Sequence, residues 1–393
     1  MSPAPNPERL RVGFIPLCDA AALIVAVDRG FMAAEGLDVE LVREVSWSNV
    51  RDKLNIGIFD AAHLLAPVAI ASSLGLGHIK VPIIAPLALG MNGNAVTVSP
   101  ALHAALKTAA AGDMADPLVS ARALAAVVEK RKQNGEEPLT FGMTFPFSSH
   151  NYCLRFWMAA GGVDPDEDVR LVVLPPPYMV ESLANRQVDG FCVGAPWNSV
   201  AVDLEIGMIL HFGSDILART TEKVFAVRSR WAQQHEDVLA RLVRAQLHAA
   251  AFVEDIANHE EVAAILSAPN RIGVAPELVR RTLDGALKIT PDGATRSCPD
   301  YLLVSRDGAA RPDPVQAAWL YAQMVRWGQA PLSKDMLAAA MAVFRTDMFD
   351  GCTEEAPGLP SKLADGIGAF AGPPFNADDI PGYLTAWRAG PKR

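Results

Sequence analysis

Apolar and polar positions alternate in blocks from the start of the chain. RLRVGFIPL (9–17) reads as a buried strand, and DAAALIVAVDRGFMAAEG (19–36) keeps helical spacing through Leu23, Ala26, Val27 and Gly30. DVELVREV (38–45) alternates as a strand, and SWSNVRDKLNIG (46–57) reads as a helix. The apolar run AAHLLAP (61–67) follows, and VPIIAPLAL (81–89) and AVTVS (95–99) read as strands. The rhythm continues with strands at 139–145, 169–175, 189–194 and 208–214, separated by helices near 149–160, 177–187 and 196–205, and preceded by one near 118–133. Such alternation predicts a mostly parallel sheet covered by helices.

After KVFAVRS (223–229) the pattern changes. Residues 236–257, 259–267, 276–288, 313–329 and 334–346 all carry helical periodicity, and AGPPFNADDIPGYL (371–384) reads as an extended tail. Two α/β blocks followed by a helical third predict a hinged fold of two lobes with a ligand cleft between them and a helical C-terminal extension. The expected division is residues 8–98 in lobe 1, 99–221 in lobe 2, and 222–393 as the return to lobe 1 with the helical region and tail. The length, 393 residues, suits two cores, because single cores stop growing at roughly 250–300 residues.

Composition narrows the function. Lys and Arg number 35 against 44 Asp and Glu, a formal charge of −9 that argues against nucleic acid as a direct partner. No run of apolar residues is long enough to span a membrane. The opening MSPAPNPERLRVGF carries no basic n-region or apolar h-region, so a cytoplasmic protein is expected. Five scattered cysteines, none in a CxxC pair, read as reduced structural thiols. There is no dinucleotide or phosphate-loop motif, no GxSxG elbow and no HExxH, and the eight histidines lack metal-site spacing. No enzyme, cofactor or metal is expected.

Five strand ends carry candidate chemistry. In FGMTFPFSSHNYCLRFWMAAGG (141–162), Ser148 or Ser149 can cap a helix that Gly161 and Gly162 end, which puts His150 in the first turn, where free amides and the helix dipole favour an anion. Trp47, in VSWSNVRDKL, offers one N–H donor and a flat face, or else anchors helix to sheet. Gly194, in DGFCVGAPWNSV, leaves room for close backbone approach, or sits in a plain turn. Lys223, in RTTEKVFAVR, can close over an anion as a point charge, or be solvated. Asn94 follows the Asn92–Gly93 turn and carries an amide donor. Taken together, these are neutral donors, a flat wall and one balancing positive charge, which is what a monovalent oxyanion requires.

The segments GFIPLCDAAALIVAVDRGFMAAEGL, SWSNVRDKL, FDAAHLLAP, GMTFPFSSHNYCLRFWMAAGG, LPPPYMV, GFCVGAPWN, EKVFAVR and RWGQ occur in this order. Over roughly residues 10–350 the chain resembles the nitrate/bicarbonate-binding proteins of ABC transporters, the NrtA/CmpA family. That resemblance implies the type II periplasmic-binding-protein fold. It also implies a nitrate site at Trp47, Asn94, His150, Gly194 and Lys223, where Asn94 replaces a Gln common in the family. The bicarbonate branch of the family uses calcium and another ligand set; the presence of both His150 and Lys223, with Ala195 where relatives often carry Glu, favours nitrate or nitrite. Joined to the expected cytoplasmic location, the resemblance points to the NasS-type nitrate/nitrite sensors, which hold a NasT-type RNA-binding antitermination regulator until the anion binds. The alternative is a transporter receptor for nitrate or bicarbonate. A third reading, a pyrimidine-precursor synthase of the same fold, is disfavoured by the scattered cysteines. On the sensor reading, a Lys223→Ala variant is expected to lose nitrate binding and keep its fold.

Overall fold

The structure is a computed structural model and describes residues 9–353 and 366–387. The expected domain limits at residues 8 and 393 lie outside the described residues. Eleven strands in chain order build two sheets. They are β1 (Leu10–Phe14), β2 (Val39–Arg43), β3 (Ala61–Leu65), β4 (Ile83–Asn92), β5 (Asn94–Val98), β6 (Thr140–Met143), β7 (Arg170–Val173), β8 (Gly190–Gly194), β9 (Met208–Phe212), β11 (Thr221–Arg228) and β14 (Leu302–Leu303). Among the described residues, four short strands complete the set: β10 (Leu217–Ala218) pairs with β15 (Gly368–Ala369), and β12 (Ala286–Lys288) with β13 (Thr295–Ser297).

The first sheet has the order β14-β4-β11-β3-β1-β2 and the second β7-β6-β8-β5-β9. Within the first, β1 runs parallel to β2 and β3; within the second, β6 runs parallel to β7 and β8. The strands next to the chain crossovers run antiparallel: β11 lies between β3 and β4, and β5 between β8 and β9. A strand that enters a sheet from the other lobe needs no helical crossover, so it is free to pair antiparallel. The sheets are therefore more mixed than the alternating pattern predicts.

The first crossover is shorter and earlier than expected. β4 ends at Asn92 in the first sheet and β5 starts at Asn94 in the second, so Asn94–Val98 belongs to lobe 2 rather than lobe 1. Asn92 and Gly93 both have positive φ, 60° and 80°, which turns the chain within one residue. The apolar run read as one strand at 95–99 is therefore the start of the second sheet.

Two further expectations fail locally. The helix expected over 276–288 stops at Leu283, because Gly285 adopts φ 62° and the chain turns into the β12–β13 hairpin. The tail at 371–384 is not wholly extended. Asp379 accepts a hydrogen bond from the Gly382 N–H at 2.9 Å and caps a helix over Ile380–Ala386, which buries Ile380 and Tyr383 against Ala318 and Ala322.

One apolar cluster runs through both lobes, from Leu65 and Ile70 of the first to Phe141 and Trp157 of the second. The lobes are closed on each other. The Cys18 N–H donates to the Ala195 carbonyl at 2.9 Å, Trp197 Nε1 donates to the Pro16 carbonyl at 3.1 Å, and the Tyr152 hydroxyl donates to Gln329 Oε1 at 2.8 Å. Phe156 stacks on Trp387 and Trp319 at centroid distances of 5.1 and 6.4 Å, so the helical C-terminal region also packs against lobe 2.

Candidate functional site

The cleft is organised by two short capped helices and the strands between them. Ser46 caps the helix Trp47–Asn55, its hydroxyl accepting the Asn49 N–H at 3.3 Å, which fixes Trp47 at the first helical position with 1% exposure. Across the cleft, Ser148 caps the helix Ser149–Gly161 by accepting the Asn151 N–H at 3.1 Å. Gly162, at φ 96°, ends that helix. Because Ser148 serves as the cap, Ser149 is free to donate its hydroxyl to Glu222. His150 follows, fully buried in the first turn.

All five residues named from the sequence come together here. Asn94 and Gly194 are register partners on β5 and β8. A Cβ added at Gly194 would lie 3.5 Å from Asp19 Oδ2, an ordinary contact distance, so this strand end lies against the cluster without glycine being required for the approach. Lys223 Nζ sits 5.4 Å from the centroid of the Trp47 ring, within cation–π reach. His150 Nδ1 lies 3.1 Å from Glu222 Oε1.

Two of the five differ from the expected roles. Lys223 is not a lone balancing charge: its ammonium pairs with Asp19 Oδ2 at 2.8 Å and with Glu222 Oε1 at 3.0 Å. The amide nitrogen of Asn94 donates to Glu222 Oε2 at 2.9 Å, so Asn94 first orients a carboxylate.

Three residues of the cluster were not singled out from the sequence: Asp19, His63 and Glu222. Asp19 Oδ1 accepts from His63 Nε2 at 2.9 Å, and His63 Nδ1 faces the Ile15 N–H at 3.4 Å. The backbone N–H can only donate, so Nδ1 accepts it and the ring proton lies on Nε2. A signal for them did exist. Asp19 interrupts a run of apolar residues, and Glu222 precedes Lys223 on a strand that pairs on both sides. Charges in such places need partners.

Burial and pairing set the protonation states. Burial raises the Asp19 carboxyl, but Lys223 and the His63 hydrogen bond hold it below the usual carboxylate range. Burial likewise raises Glu222, and His150, Lys223 and Ser149 bring it below its ordinary value. Lys223 loses basicity to burial and regains more from Asp19 and Glu222, so it stays charged. Burial pushes His150 down to about 4 despite the neighbouring Glu222, and lowers His63 as well. Two donor-capable nitrogens, Trp47 Nε1 and His150 Nε2, are buried and have no hydrogen-bond partner. Among the described residues, no group of three or more His, Cys, Asp or Glu is placed to hold a metal ion, and no helix is long and apolar enough to cross a membrane.

Two closed lobes around a buried polar cluster, joined by strands that cross between two sheets, define a two-lobed ligand-binding protein with the periplasmic-binding-protein fold. The chain belongs to the NMT1-like family, which it matches over residues 3–267. It is 30% identical to the nitrate/nitrite binding protein NrtA of Nostoc sp., over 98% of this chain and 87% of that one. It is 31% identical to the nitrate import ATP-binding protein NrtC of Synechocystis sp., over 95% of this chain and 54% of NrtC, so it spans about half of that longer relative. The crystal structure of the periplasmic nitrate-binding protein NrtA from Synechocystis superimposes with a TM-score of 0.87 at 27% identity, covering 98% of this chain and 99% of that one.

Proposed function

We propose that this chain binds nitrate or nitrite in the cleft and works as a cytoplasmic sensor, not an enzyme, whose occupancy governs its hold on a NasT-type antitermination regulator of nitrate assimilation genes. The observation that carries the anion reading is the pair of unpartnered buried nitrogens, Trp47 Nε1 from the first lobe and His150 Nε2 from the second, on two rings that both border the Lys223 cluster. Buried polar groups are nearly always hydrogen-bonded, so such a pair marks a place for a small acceptor. The indole face and the amides at the start of the helix Ser149–Gly161 suit a flat anion. The names of two of the relatives, nitrate/nitrite binding protein and nitrate import ATP-binding protein, agree with that ligand, while that of another, bicarbonate transport ATP-binding protein, makes bicarbonate the rival to test. The sensor role rests on the family resemblance joined to the expectation of a cytoplasmic location, and the regulator pull-down is its test.

The test is calorimetric titration of the purified protein with nitrate, nitrite and bicarbonate, followed by a pull-down of the regulator with and without the tightest ligand. Nitrate or nitrite binding tighter than bicarbonate, together with release of the regulator, is expected. Preference for bicarbonate sinks the ligand reading, and a regulator held equally with and without anion sinks the sensor role. A second reading, a substrate-binding protein of an ABC importer for nitrate or bicarbonate, is favoured by the match to NrtA along nearly its whole length. Fractionation of cells making the full gene product decides between the two locations.

A further inference from the structure

Among the described residues of the cluster, two carboxylates face one ammonium. Asp19 and Glu222 share Lys223, so the site already carries an excess negative charge when both histidines are neutral. A monovalent anion added alone would double that excess in a buried place, at a prohibitive cost. Something must come in with it.

The two histidines differ in what they can offer. His63 has both nitrogens engaged, Nδ1 accepting from Ile15 and Nε2 donating to Asp19. His150 has Nδ1 3.1 Å from Glu222 Oε1 and 3.0 Å from Thr144 Oγ1, while Nε2 is buried with no partner. A lone pair on Nδ1 would stand 3.1 Å from a negatively charged oxygen, so the neutral ring keeps its proton there and donates it to Thr144 Oγ1. Nε2 is then a bare lone pair, which repels an anion instead of receiving it.

We infer that His150 takes up a proton on Nε2 as the anion enters, so that the site binds a monovalent oxyanion together with H⁺, and that Glu222 is the positioning residue that enforces this, its charge 3.1 Å from Nδ1 keeping the ring's first proton on that nitrogen. The proton comes from solvent, no bond of the anion changes, and the charge of the filled cluster equals that of the empty one. The inference rests on the proposed anion site. The groups that face His150 are Glu222 and Lys223 from β11, Asp19 from the turn after β1, with His63 behind it, and the Thr144 hydroxyl from the loop after β6. Burial keeps the nearby Cys192 thiol protonated, so it adds no charge. Burial also keeps the free His150 ring neutral at pH 7, since it is pushed down to about 4. The proton is therefore absent before binding.

The experiment is titration with sodium nitrate at pH 7 in phosphate and in Tris, whose ionisation enthalpies differ, with Kd measured from pH 6 to 8. Uptake of about one proton per anion is expected, with Kd rising about tenfold per pH unit. Glu222→Gln frees the ring to present Nε2–H without an added proton, so its Kd should lose that slope and at pH 8 equal or fall below the wild-type value. His150→Gln should bind more weakly and take up no proton. Nitrate binding without proton uptake overturns the inference and leaves the anion site standing. A proton count that persists in His150→Gln overturns the assignment to His150, and an unchanged slope in a folded Glu222→Gln protein overturns the role of Glu222. No heat and no change in tryptophan fluorescence at any pH overturns the anion site itself, and the inference with it. The wild-type proton count stands whether or not the variants fold.

Discussion

Lys223 Nζ lies 2.8 Å from Asp19 Oδ2, a contact between residues 204 positions apart that ties the second crossover to the turn after β1. Both side chains are essentially withdrawn from solvent, at 0% and 2% exposure. Breaking such a pair leaves a buried charge with no counterion. Lys223→Met is therefore expected to lower stability by roughly 3–5 kcal/mol, and Asp19→Asn added to it should restore a good part. Urea unfolding of the two variants checks this; equal stability of Lys223→Met and wild type would show that the charges are not paired in solution. The expectation that Lys223→Ala merely loses binding is revised accordingly, because the lysine also neutralises two buried carboxylates.

The acid limb of the stability curve should be steep. His150 and His211 are pushed down to about 4 by burial, and His63 is lowered too. A histidine whose folded pKa is depressed contributes stability above its unfolded value, near 6.5, and loses it as pH falls toward the folded value. Each contributes up to about 1.4 kcal/mol per pH unit in that window. Asp19, also depressed, adds its loss lower, below about pH 4. Unfolding free energies of the anion-free protein at pH 7, 6 and 5 should fall progressively, and a flat profile would contradict the buried neutral rings.

Trp47 separates wall from donor. Trp47→Phe keeps an aromatic face under Lys223 and removes an N–H that has no partner in the protein. Stability should change little, while nitrate affinity should fall by about 10–100-fold, the scale of a hydrogen bond to a charged group. Unchanged affinity would place the anion away from the indole.

Gly213 supports the cluster from behind. A Cβ there would stand 1.9 Å from Asn94 Oδ1 and 3.1 Å from the Asn94 carbonyl oxygen. Gly213→Ala should therefore displace Asn94 and, through its 2.9 Å bond, Glu222. A loss of about 1–3 kcal/mol is expected, with weaker nitrate binding, and Asn94→Ala in the same background should recover part of the stability. Wild-type thermal stability in Gly213→Ala would mean that the turn relaxes without cost.

Much of the fold follows from periodicity. The helix Ser149–Gly161 was legible from its serine cap and glycine stop, and β8 from its apolar run. The turn at Asn92–Gly93 was legible too, but not that the chain changes sheet there, because β4 and β5 are both apolar and nothing local marks which sheet a buried strand joins. The hairpin after Leu283 was hidden in a helical pattern that Gly285 interrupts. In the site, the five residues at strand ends could be named because strand ends carry donors by position. Asp19 and His63 lie inside apolar segments, where local pattern speaks for core, and Glu222 stands beside the lysine that draws the eye; only the three-dimensional pairing shows the two carboxylates meeting on Lys223.

The single-residue turn at Gly93 has a consequence for the order of events in the cleft. Asn94 is next to this pivot, whereas His150 starts the helix after β6, two strands from β5 in the second sheet, so a rotation of one lobe about the turn moves His150 further than Asn94. Asp19, Trp47, His63, Glu222 and Lys223 all ride on the first lobe. An open cleft would keep that set nearly intact and give up only the far jaw of Ser149 and His150. Capture then has two stages: an anion first meets a half-site that is already assembled, and the second lobe arrives last, bringing the imidazole that completes the charge.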